Sequence, residues 1–135
     1  MAYLINEDFD LLIQDANLQQ IINSNEGIRQ QAELVAIGEA RSYLIQKYLF
    51  DEEMDKTGTD RDSQLLAYII DLTLYHLHSR IAPRNIPQLR QTRYDNALAW
   101  LKMCAMGDVT PKLEERTIGG KIIRWDSVPK NQNNY

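Results

Sequence analysis

The longest apolar run in the chain extends from Leu65 to Leu77 and contains neither Gly nor Pro. It is too long for an ordinary strand and predicts a central helix, capped by Asp60 or Asp62 and running to about Arg80. Upstream, Ile28, Ala32, Leu34, Val35, Ile37, Leu44, Ile45 and Tyr48 return every three or four residues, which predicts the longest helix over about residues 25–50. Gly38 in its middle costs about 1 kcal/mol relative to Ala, so a close-passing backbone is expected there, with a bend as the alternative. Downstream, Tyr94, Ala97, Leu98, Leu101 and Ala105 mark a third helix over about 89–106, with Gly107 placed to end it. At the front, Asn6 followed by Glu7 and Asp8 starts a short helix to about Gln14 that turns Phe9, Leu12 and Ile13 inward. Asp15, Ala16 and Asn17 form an expected break, after which Leu18, Ile21 and Ile22 make a further turn or two.

The segments between these helices differ in kind. Residues 51–60 are acidic and turn-rich, and predict an exposed loop; the Gly and the closing Glu of a calcium-binding EF-hand do not fall at the required positions. Residues 81–87 hold Pro83 and Pro87, each of which removes a donor and disfavours helix at the residue before it, so a short stiff connector is expected. After Gly107 the helical period disappears. Gly119 and Gly120 suit a tight turn between Thr117-Ile118 and Ile122-Ile123, which together predict a small hairpin that must dock on something to be stable. The predicted fold is all-α: a small helical bundle over residues 1–110 with an extended or β-hairpin C-terminal arm over 111–135.

Composition narrows the classes. A chain of 135 residues makes one domain and buries roughly two-thirds of its unfolded surface. The single Cys104 has no intramolecular disulfide partner, which suits a reducing compartment, and neither a metal nor a cofactor is expected. The first residues lack the basic start and apolar core of a signal peptide, and no run reaches the roughly 18 apolar residues of a membrane span, so neither export nor a membrane partner is expected. A net charge of −4 argues against a broad phosphate-gripping surface.

Asp71, Tyr75, His76, His78 and Arg80 place active-site residue types on the central helix. The two histidines, two positions apart, point in different directions and do not chelate one metal together. Asp71 and Tyr75, at i and i+4, share a face, and a tyrosine hydroxyl bonded to a carboxylate is an ordinary structural pairing. Arg41 follows the spacing of Leu34, Gly38, Ile45 and Tyr48, so its stem is expected near the core with a carboxylate from Asp71 or Asp95. Arg41, Asp71, Tyr75 and Asp95 thus form an expected inter-helix polar clamp. Gly119-Gly120-Lys121 lacks the remaining features of a phosphate loop, and no motif supplies a nucleophile. Ile122, Ile123, Arg124 and Trp125 combine apolar area with the residue types of interface hot spots, and are expected either to pack on the bundle itself or to make a protein-binding contact.

Three segments, Ala40–Tyr48, Asp71–Arg80 and Arg93–Leu101, followed by Gly107 and Pro111, resemble in order and spacing the small head-tail connector (adaptor) proteins of tailed bacteriophages, particularly those of Mu-like phages. The resemblance covers about residues 25–112. It implies a non-enzymatic virion protein at the head-tail junction, assembled in the host cytoplasm into a ring, usually dodecameric, beneath the portal protein. Such a ring extends the DNA channel, through which DNA passes without specific binding, and offers a platform for the next tail or neck protein. The alternatives are a soluble helical adaptor module with one protein partner, or a small hydrolase or metal enzyme using Asp71, His76 and His78.

Overall fold

The computed structural model describes residues 3–81, 84–118 and 121–122. Among these the chain is mostly helical: a 3-10 segment Asn6–Leu11, then α1 (Asp15–Ile22), α2 (Glu26–Leu44), α3 (Phe50–Met54), a 3-10 turn Gly58–Asp60, α4 (Ser63–Ile81) and α5 (Gln88–Met106). No helix among the described residues is long and apolar enough to cross a membrane.

α4 lies at the centre because its apolar residues occupy more than one face. Leu65, Ile69, Ile70, Leu72, Leu74 and Leu77 are all buried, and α4 packs on both α2 and α5. Asp62 starts it, its Oδ1 accepting from the Gln64 N–H at 3.1 Å. Asn25 starts α2 in the same way through the Gly27 N–H at 3.0 Å. α5 ends at Gly107, whose φ of 87° lets the Asp108 N–H close back on the Met103 carbonyl at 2.9 Å.

The largest departure from the sequence reading lies at the C-terminal end of α2. The predicted helix over 25–50 stops at Leu44, because residues 47–49 pair instead with 114–116: the Leu49 N–H donates to Glu114 O at 2.8 Å and the Arg116 N–H to Lys47 O at 2.9 Å. Arg116 also donates through Nε to the Ile45 carbonyl at 2.9 Å, so a cation sits on the orphan carbonyls at this helix end. Pro111 and Leu113 are buried, so residues 111–116 belong to the packed unit rather than to an arm leaving it at 110. Beyond them, Thr117–Ile118 pairs antiparallel with Lys121–Ile122, Thr117 facing Ile122. Gly119, Gly120 and residues 123–135, with Ile123, Arg124 and Trp125, lie outside the described residues, as does the side chain of Ile122.

Two further expectations are corrected. Residues 51–60 are not simply an exposed loop, for α3 occupies Phe50–Met54 and buries Phe50 and Glu53. Asp15, Ala16 and Asn17 open α1 rather than break a helix, while the short element before them is 3-10.

Candidate functional site: polar junctions that lock the bundle

α2 buries Arg29, Glu33, Ala36, Ala40 and Leu44, and turns Leu34 and Val35 outward, 70% and 53% exposed. That rotation removes Arg41 from the core. Arg41 lies in solvent and pairs with Asp51 at the start of α3, Nε to Oδ1 at 3.1 Å. Gly38 shares the outward face, and a Cβ there would meet nothing within 4 Å among the described residues. The expected clamp of Arg41, Asp71, Tyr75 and Asp95 is therefore not assembled. Asp71 is buried on α4 with its nearest cation, Arg93 Nη1, at 4.0 Å, and Asp95 accepts from Gln91 Nε2 at 3.2 Å.

A different junction ties the three long helices. Glu39 of α2 receives His76 of α4, Nε2 to Oε1 at 2.6 Å, and the Tyr94 hydroxyl of α5 donates to its other oxygen at 3.0 Å. Tyr75 completes the group by stacking on Tyr94, ring centroids 3.8 Å apart, while His76 meets Tyr94 edge-on. Burial, then the hydrogen bond to Glu39, pushes the Tyr94 phenol up to about 12, so it stays a donor at neutral pH. The sequence reading placed Tyr94 on an inward stripe and Tyr75 in a polar pairing, but overlooked Glu39. Its one local signal was its position beside the buried Ala36 and Ala40.

Two more junctions fasten the N-terminal segment. Glu53 of α3 accepts the Tyr3 hydroxyl at 2.9 Å and the Asp62 N–H at 2.8 Å, and Lys56 Nζ lies 3.0 Å from its second oxygen. Asp62 links this group onward, its Oδ2 accepting the Lys112 N–H at 3.2 Å. Arg61 grips both oxygens of Asp8, at 2.6 and 2.9 Å, and donates to the Tyr3 and Gly58 carbonyls. Burial works against ionisation of Asp8, but Arg61 and the Ile5 N–H prevail and hold its carboxyl below the usual range. Arg29 and Glu33, buried one turn apart on α2, make a third pair, with the guanidinium 5.5 Å from the centre of the Phe9 ring. Burial nevertheless pushes Glu33 up to about 7.

The side chains of these junctions are engaged with one another. Each carboxylate of the Glu39, Glu53 and Asp8 junctions is occupied by donors from other segments. The Cys104 thiol is buried and pushed up to about 12, which keeps it protonated and a poor nucleophile. His76 and His78 serve different surroundings, since His78 lines a pocket with Ile13, Ile21 and Arg90 instead of joining Glu39. No family model, curated protein or solved structure matches the chain.

What remains for recognition is the outside. Leu34 and Val35 leave one apolar face on α2, and Met103 and Met106 leave another on α5. Scattered exposed apolar residues are ordinary, but Met103 and Met106 lie one turn apart on α5, and the adjacent Leu34 and Val35 both stand on the outward side of α2.

Proposed function

We propose that the chain is a non-enzymatic structural subunit of a tailed-bacteriophage neck, a head-tail connector that forms a ring beneath the portal and continues the DNA channel toward the tail. The likeness of Ala40–Tyr48, Asp71–Arg80 and Arg93–Leu101 to such proteins is the origin of this reading. The observation that carries it is the pairing of a bundle locked by polar junctions with two unlike apolar outer faces, Leu34 and Val35 on α2 and Met103 and Met106 on α5.

A ring of identical subunits needs two different, mutually complementary faces, because its contacts run head to tail. It also needs a subunit that keeps its shape, since small errors in each contact accumulate around the ring. The Glu39, Glu53 and Asp8 junctions supply that stiffness. The net charge of −4 suits a conduit through which DNA passes without being held. The partners in this reading are further copies of the chain, the portal above and a tail or neck protein below.

The test is co-expression with a portal protein of a Mu-like phage, followed by electron microscopy. A ring of this protein stacked on the portal is the expected result. Substituting Val35 or Met103 with Glu should abolish the ring while leaving the helical circular-dichroism spectrum unchanged. A stable one-to-one complex with some other protein, and none with the portal, would favour a soluble adaptor module instead.

A further inference from the structure

Where the end of α4 and the start of α5 meet α1, a pocket of about 470 Å³ opens between aliphatic walls, which is within the range of small-molecule sites. Ile13, Ile21, Ile81 and Leu89 form the walls, and Arg90 and His78 are its charged and titratable lining groups. Arg90 is anomalous. It is only 9% exposed, its Nη2 donates to the Leu12 carbonyl at 3.2 Å, and its Nη1 is itself buried and has no hydrogen-bond partner among the described residues. Among the described residues it makes no ion pair, whereas the other buried arginine of the bundle, Arg29, has Glu33 beside it. A buried guanidinium without a carboxylate is costly, and such groups are normally paired. The nearest acid that acts on it, Asp71, is already shared with Arg93.

We infer that this pocket binds a carboxylate carried on an aliphatic chain, with Arg90 as its anchor and Ile13, Ile21, Ile81 and Leu89 around the chain. One uncompensated cation matches one negative charge. A phosphate dianion would bring a second charge with no second cation among the lining groups to meet it, only the neutral amides of Asn17 and Gln20. His78 assists as a neutral hydrogen-bonding group, because burial and the nearby Arg90 both lower its pKa. The bound carboxylate would reverse part of that effect and draw a proton onto His78. The site goes beyond the neck reading and stands without it.

The chain has two histidines, so imidazole resonances separate this site from the Glu39 junction. Titrating the full chain with octanoate should shift resonances of the pocket residues and raise the His78 pKa, leaving His76 unmoved. 1-Octanol, with the same chain and no charge, should bind roughly tenfold more weakly, the value of one charge-assisted contact. Arg90→Gln should bring octanoate down to the octanol level. Leu89→Trp, at an exposed rim position that tolerates change, should block octanoate while leaving the fold intact. Equal affinity for octanoate and octanol, no shifts or shifts outside the pocket, an unmoved His78, or undiminished binding in Leu89→Trp would each overturn the assignment.

Discussion

Glu53 shows how far one side chain's surroundings govern its role. In an acidic run it reads as one more solvated carboxylate, yet it is 2% exposed and gathers Tyr3, Lys56 and the backbone of Asp62. Glu53→Gln keeps the shape but removes the charge and turns one acceptor into a donor facing other donors. It should cost about 2–4 kcal/mol in urea unfolding, in line with breaking a buried charged network. Asp71 gives a pH-dependent counterpart. Burial, only partly offset by Arg93 and Arg90, pushes its carboxyl up to about 6 from an ordinary value of 3.8. The folded state therefore holds a proton that the unfolded chain releases, so this group's contribution to stability is full below about pH 4 and falls as pH rises toward 6. Asp71→Asn should flatten the stability-versus-pH curve over that window. A curve with the same slope in both proteins would show that Asp71 ionises normally in the fold.

Among elements, the claim is that α2, α4 and α5 are held in register by Glu39, His76 and Tyr94. Tyr94→Phe should cost about 1 kcal/mol, and a double-mutant cycle with His76→Ala should return a coupling of at least ~0.5 kcal/mol, because both act through one carboxylate. Additive effects would mean that the two contacts are independent. The three long helices were legible because the period of α4 and α5 coincides with their buried faces. The face of α2 was not, because its buried positions are Arg29, Glu33, Ala36 and Ala40, while Leu34 and Val35 look outward. A hydrophobic count cannot recognise a charged pair as interior. That one rotation also explains the misplaced clamp: Arg41 moved out with Leu34, and Glu39 took the inward position. The α2 end was hidden for another reason, since its termination depends on pairing with residues 114–116, far along the chain.

For the whole molecule, the same long-range pairing places the edge of the folded unit beyond residue 110. Removing everything after residue 110 takes away Leu113, the Lys112 contact to Asp62 and the Arg116 contact to Ile45, and should lower the melting temperature by several degrees. Cutting after Ile122 retains those contacts and should have a smaller effect. An equal loss in both truncations would place the stabilising contacts further along the chain. Such a locked unit, with apolar faces on α2 and α5, is what the proposed ring requires. The most direct measurement is electron microscopy of the protein co-expressed with a portal protein of a Mu-like phage. The account predicts rings of this chain seated coaxially on the portal, lost when Val35 or Met103 is replaced by Glu. Portal particles that carry no additional ring, with this chain folded and present in excess, would contradict it.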